Sequence, residues 1–175
     1  MFGDNHRVAH NLGELIGFGN ISDYVINALM ERREPHIYEP ETDSHKTVPS
    51  DIMSYVDLTN LKVTATKKDI ETLITKAVSE GCASVCIPPC FVPEAKQISA
   101  GRIAICTVIG FPNGYQTTAA KLFEAADACD NGASEIDMVI NTCFLKSHLT
   151  AQVQNEIELI ARVVHDKGAI LKVII

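Results

Sequence analysis

Lys172 interrupts the run Leu171-Lys172-Val173-Ile174-Ile175, in which every other residue is apolar. A charged side chain is rarely tolerated inside a buried strand, so a lysine at this position suggests a reactive amine. A neutral primary amine attacks carbonyl carbon and forms Schiff bases. Asp137 interrupts a second strand-like run, EIDMVIN, and Asp57 and Cys86 do the same in IMSYVDLT and ASVCI. Side chains alternate faces along a strand. Asp137 therefore shares a face with Val139 and Asn141, and Lys172 shares one with Ile174. If the wholly apolar faces pack against helices, Asp137 and Lys172 turn inward on neighbouring strands, about 4.8 Å apart. Burial predicts a lowered amine pKa, which the adjacent carboxylate partly opposes. That carboxylate would move protons as carbinolamine, imine and enamine interconvert. The same residues also admit a plainer reading, a buried ion pair with a structural role, in which desolvation offsets most of the attraction.

The six cysteines are Cys82, Cys86, Cys90, Cys106, Cys129 and Cys143. Most lie in apolar strand-like or helical stretches, and the N-terminus has no export pattern, so they read as reduced thiols. Cys82, Cys86 and Cys90 are spaced four apart, which invites a metal reading. Against it, no CxxC pair occurs, no histidine is near, and Cys90 follows two prolines in a loop. The expectation is no metal. A net charge of −7 argues against a general nucleic-acid or anionic-membrane binder. No stretch approaches the roughly 20 apolar residues of a membrane span, and the cytoplasm is the expected location.

Two regions are expected. Residues 1–50 hold four of the six histidines and the stretch ERREPHIYEPETDSHKTVPS; they read as an N-terminal helical extension followed by an exposed linker. From residue 51 strands and helices alternate. The strand-like run 52–59 precedes a helix that Thr66 can cap, with Asp69 as its capping-box acid and Gly81 as its end. Strand 83–87, a short helix near 91–99, strand 102–110, helix 118–131, strand 135–141, a helix near 149–167 and strand 169–175 follow. Such alternation predicts right-handed βαβ units and a parallel sheet. A doubly wound sheet and the first five-eighths of a (β/α)8 barrel both fit. No Gly-x-Gly-x-x-Gly follows a strand and no Walker-type loop occurs. Reactive side chains instead project from the strands themselves, as in barrel active sites.

In the stretches YVDLTNLKVTAT (55–66), GCASVCIPPCFVPEAK (81–96), TVIGFPNGYQTTAAKLFEA (107–125), NGASEIDMVINTCFLKS (131–147) and LKVII (171–175), the sequence resembles the deoxyribose-phosphate aldolases. The resemblance covers residues 51–175. It implies an α/β fold of (β/α)8 TIM-barrel lineage with about five βα units present. It also implies a metal-free class I aldolase that reversibly cleaves 2-deoxy-D-ribose 5-phosphate to D-glyceraldehyde 3-phosphate and acetaldehyde, and a possible homo-oligomer. Carried over by motif, Lys172 forms the Schiff base and Asp137 donates and accepts protons. Asp57, Thr59 and Leu61 line the substrate pocket, and Cys86 lies near the aldehyde, where a small buried apolar residue is an equal reading.

Members of that family continue beyond the matched region, with a second lysine on a later strand and a phosphate site in the last loops. The expectation is therefore a chain truncated after its fifth strand, with open sheet edges, a tendency to associate and impaired turnover. Three other readings stand beside the aldolase: a different Schiff-base lyase on the same barrel, an inactive fragment acting as an interaction module, and a metal or redox protein using Cys82, Cys86 and Cys90.

Overall fold

The computed structural model describes residues 51–175, so the expectations for residues 1–50 lie outside the described residues. A 3₁₀ turn, Ile52–Tyr55, leads into β1 (Asp57–Thr59). Then come α1 (Lys67–Glu80), β2 (Ser84–Ile87), a 3₁₀ turn (Pro89–Phe91), α2 (Val92–Ser99) and β3 (Ala104–Ile109). The chain continues with α3 (Thr118–Asp130), β4 (Glu135–Val139), the short α4 (Thr142–Lys146), α5 (Thr150–Asp166) and β5 (Ile170–Ile174). Among the described residues no helix is long and apolar enough to cross a membrane.

Local chemistry sets most boundaries. Thr66 accepts from the Asp69 amide while the Asp69 side chain accepts from the Thr66 amide, the reciprocal box expected at the start of α1. At the entrance to β1 the expected strand is shortened. The Ser54 amide and hydroxyl both donate to the Asp51 carbonyl, and the Val56 amide donates to the Met53 carbonyl, so residues 52–55 close into a turn. β4 also stops early. Asn141 does not continue the strand face of Asp137; its side chain accepts from the Phe144 amide and caps α4, a helix that apolar spacing did not reveal.

The five strands lie in the order β1-β2-β3-β4-β5, all parallel. A doubly wound sheet reverses its strand order at a switch point; this one does not. Its two faces also differ. Leu58, Val85, Ile87, Ile105, Ile109, Ile136, Met138 and Leu171 join residues of α1, α2, α3 and α5 in one large apolar core. The opposite face holds a small cluster of Cys86, Cys106, Val108 and Leu61, with no helical residue in it. All helices that contribute to the core thus cover a single face, as in a barrel wall.

The wall is strongly curved. In a flat sheet β1 and β5 would stand four spacings, or about 19 Å, apart. Yet Lys172 Nζ on β5 lies 2.6 Å from Asp57 Oδ2 on β1. Only a sheet curled around its helix-free face brings these side chains together. Among the described residues β1 pairs only with β2, and β5 only with β4. Val173, expected to face a helix layer, is partly exposed on β5.

The β3–α3 loop is fixed by two close approaches. A Cβ on Gly114 would lie 1.9 Å from the Ile140 carbonyl oxygen, and one on Gly110 would lie 2.7 Å from Lys121 Cε. Both residues also have positive φ, so glycine suits each position sterically and conformationally. The lysine that needs this space is wholly buried on α3. Lys121 Nζ donates to Glu156 Oε2 at 2.9 Å and to the Val139 carbonyl at 2.8 Å. Glu156, on α5, also accepts from the Asn141 amide and the Thr118 hydroxyl. This network ties α3 and α5 to the end of β4.

Candidate active site

Strand alternation and register together build the site. Lys172 is the register partner of Asp137, and Asp137 that of Val108. One strand further, Cys106 pairs in register with Cys86, and Ser84 with Asp57. All of these face the helix-free interior of the curve, in keeping with the two-residue side-chain period.

Lys172 Nζ is surrounded by three carboxylates. Asp57 Oδ2 lies at 2.6 Å, Asp137 Oδ1 at 3.0 Å and Glu135 Oε2 at 3.1 Å. The Asp137 contact is an ion pair without well-directed hydrogen-bond geometry, which leaves the buried Oδ1 without a formal partner. Asp57 is further held by the Ser84 hydroxyl, which donates to its Oδ1 at 2.7 Å. Burial raises the Asp57 pKa, but hydrogen bonds from Lys172 and Ser84 outweigh it, and the carboxyl group lies below its usual range.

For Lys172 the same balance overturns the expected direction. Burial does lower the pKa, but the contacts with Asp57, Asp137 and Glu135 exceed that effect, so the pKa stands above the ordinary lysine value. The expected shift was downward because one carboxylate was weighed against burial; the fold supplies three. At neutral pH the resting amine is therefore an ammonium ion, and it must give up a proton before it can attack a carbonyl. The carboxylates that hold that proton are also acceptors for it. About a third of the Lys172 side chain is exposed, so the nitrogen is open to a small molecule.

The other sequence-predicted residues lie around this centre to different degrees. Cys86 is almost wholly buried, and its Sγ lies 3.9 Å from Asp137 Oδ2. Cys106 is fully buried beside it; the hydrogen bond with Cys86 and burial push its pKa upward, holding it as a neutral thiol. Leu61 packs on the Cys86–Cys106–Val108 cluster. Thr59 is exposed, and its hydroxyl donates to the Asp57 carbonyl. Cys82 and Cys90 join no donor set among the described residues, and Cys90 is exposed. The companion of Cys86 is Cys106, across the strand pair.

Sequence reasoning missed Glu135, Ser84 and Cys106. Glu135 was within reach of it: two residues before Asp137, it must share that face. Ser84 and Cys106 required the register. Around the loops that follow β1, β2 and β3, a cavity of about 330 Å³ is lined by Leu61, Lys62, Pro88, Cys90, Val108 and Phe111, among others. It opens where the carboxyl ends of barrel strands place substrates.

The fold agrees with what is found in known proteins. The profile of the DeoC/LacD family aldolases matches residues 51–175. A deoxyribose-phosphate aldolase from Clostridioides difficile (strain 630) is 51% identical over 124 residues, which cover 71% of this chain and 56% of that one. Among solved structures, an aldolase designated QR15 superposes with a TM-score of 0.68 at 36% identity, over 72% of this chain and 56% of its own. The deoxyribose-phosphate aldolase from Aeropyrum pernix, described as a tetramer, gives 0.66 at 29% identity, over 72% and 53%. The chain spans a little over half the length of the curated relatives it matches. The profile match spans residues 51–175, well over half of the sequence: the chain belongs to the DeoC/LacD family of aldolases.

Proposed function

We propose that this chain carries the Schiff-base half of a deoxyribose-phosphate aldolase, with Lys172 as the nucleophile and Asp137 as the proton carrier. The observation that carries the reading is the placement of Lys172 Nζ within 3.1 Å of Asp57, Asp137 and Glu135 on the open, concave side of the sheet. An amine so placed can pass its proton to a neighbouring carboxylate as an aldehyde approaches, and the free electron pair then attacks the carbonyl carbon. Protonation of the resulting hydroxyl and loss of water give the iminium ion.

In the cleavage direction, the substrate is the open-chain aldehyde of 2-deoxy-D-ribose 5-phosphate. The bond between its second and third carbons breaks. The third-carbon hydroxyl loses its proton and becomes the aldehyde of D-glyceraldehyde 3-phosphate. The electron pair moves to the second carbon and is delocalised onto the iminium nitrogen as an enamine. Asp137 then returns a proton to that carbon, and water releases acetaldehyde and regenerates the amine. Asp57 orients the amine and is itself fixed by Ser84. Leu61, Thr59 and Cys86 bound the space on the β1 and β2 side.

The family's activity on small sugar phosphates supports a soluble, cytoplasmic enzyme with no nucleic-acid or membrane partner, and the tetramer of the Aeropyrum pernix protein supports an oligomer. The test is borohydride reduction in the presence of acetaldehyde, followed by peptide mass analysis. The expected result is one ethyl group on Lys172, absent from Lys172→Ala. Label on another lysine, or equal label in that variant, rejects the assignment.

A further inference from the structure

We propose that Cys86, Cys106 and Asp137 form a binding site for a thiophilic divalent cation such as Zn²⁺ at the inner face of the sheet. One ligand atom from each lies within 4.8 Å of the other two. The two thiols are brought together by register, Cys86 opposite Cys106 on β2 and β3, and both are free. Asp137 enters from β4 and stands 3.9 Å from Cys86 Sγ through its Oδ2.

Donor type and spacing suit this cation. Zinc takes thiolate and carboxylate ligands at about 2.3 and 2.0–2.2 Å, which puts tetrahedral donors roughly 3.6 Å apart. Small side-chain movements close the present spacing to that value. Three protein donors with one position left over is also the arrangement of an open rather than a sealed site. The thiols themselves are almost fully buried, whereas Asp137 and Lys172 are partly exposed, so entry is along the carboxylate side.

Binding balances as one Zn²⁺ and two thiols giving a zinc dithiolate and two protons; no electrons are transferred. Asp137 Oδ1 is also an ion-pair partner of Lys172. A cation at this site therefore draws on the carboxylate that serves the lysine and places positive charge beside the ammonium ion. Antagonism between the metal and aldehyde adduct formation is the part that rests on the proposed function; the site itself does not.

The full chain, reduced with a phosphine, is titrated with Co²⁺ as a visible probe in the absence of any substrate. The expected result is one cobalt per chain with a thiolate-to-cobalt charge-transfer band of the strength of two thiolates, bleached by stoichiometric Zn²⁺. Calorimetry in two buffers of different ionisation heat should show about two protons released per metal. Cys86→Ser and Cys106→Ser should each lose stoichiometric binding. Cys90→Ser and Cys143→Ser, which change the exposed thiols, should retain it. Lys172→Met should bind at least as tightly while forming no imine, which separates failure of the metal site from failure of the catalytic reading. The spectrum of the unmodified chain counts thiolates without reliance on any variant's folding. Cobalt bound without a charge-transfer band, as by histidines alone, or a band that survives in folded Cys86→Ser and Cys106→Ser, overturns the proposal.

Discussion

Two lysines of the described residues, Lys121 and Lys172, stand on opposite sides of the same sheet. Lys121 lies in the helix layer with none of its side chain exposed, bonded to one carboxylate and one carbonyl. Lys172 lies on the helix-free side, about a third exposed, amid three carboxylates. Burial alone does not make a lysine reactive. The more deeply buried of the two is the one no substrate can reach, and its partners satisfy it from directions fixed by packing. The shallower one has more acid than it can neutralise and an open approach. Excess acid lets a proton move between groups while the amine changes from cation to nucleophile and back; full satisfaction gives rigidity instead.

The largest effect that separates them is covalent. Lys172→Ala should abolish the borohydride-trapped acetaldehyde adduct, measured by intact-protein mass. Lys121→Met, assayed under conditions where it is folded, should keep it. The reverse pattern would break the contrast between the two sites.

Next in size is the carboxylate that supports proton transfer. Asp137→Asn should slow exchange of the acetaldehyde methyl protons with deuterated water by about 10²–10⁴, the usual contribution of a positioned general acid–base. Proton NMR follows this exchange directly. Adduct trapping should survive, because Lys172 retains Asp57 and Glu135 beside it. Equal loss of trapping and exchange would mean that Asp137 holds the lysine in place rather than carrying protons.

The third effect is on stability and belongs to Lys121. Lys121→Met leaves Glu156 as an unpaired buried charge, which costs about 3–5 kcal/mol. Replacing both ends, Lys121→Met with Glu156→Leu, should recover most of that loss, because a packed apolar pair substitutes well for a buried ion pair. Urea midpoints of the single and double variants check this. A double variant no more stable than Lys121→Met would show that the bonds to Val139 and Asn141, rather than the charge pair, hold the end of β4.

The two lysines were not equally legible in the amino-acid sequence. The two-residue period of EIDMVIN and LKVII suffices to place Asp137 and Lys172 on one face, and the register pairs them. The capping box at Thr66 and Asp69 was legible because it is a local interaction three residues long. Asp57 was recognisable as a polar interruption, but its contact with Lys172 spans 115 residues and exists only because the sheet curls. The curvature adds Asp57, and the neighbouring strand adds Glu135, to the one carboxylate that had been weighed against burial, so the sign of the Lys172 pKa shift reversed. Lys121 left a fainter trace. It occupies the same helical stripe as Ala125 and Ala128, both buried, which is an odd place for a solvated lysine. Its partner lies 35 residues away on another helix, and no local pattern signals it. α4 was missed because its capping residue, Asn141, also fits the polar face of a strand.

The smallest effect tests whether the number of acids, rather than their mere presence, sets the protonation of Lys172. Its pKa is raised because bonds to carboxylates outweigh burial. The stability that those bonds add is therefore fully present below the pKa of an unfolded lysine, and is lost as pH rises through the higher folded value. Between those limits the folded chain binds the extra proton, and the amine becomes a nucleophile only on the alkaline side. Glu135→Gln removes one acid and leaves the two aspartates. A partly exposed pair of this kind contributes up to about 1 kcal/mol after solvent screening, a roughly fivefold larger fraction of neutral amine at a given pH. The pH profile of adduct formation should move to lower pH, with faster trapping at neutral pH. An unchanged profile would mean that Asp57, at 2.6 Å, sets the proton affinity alone and that Glu135 only shapes the wall. A profile moved to higher pH would mean that Glu135, rather than holding the ammonium, receives its proton.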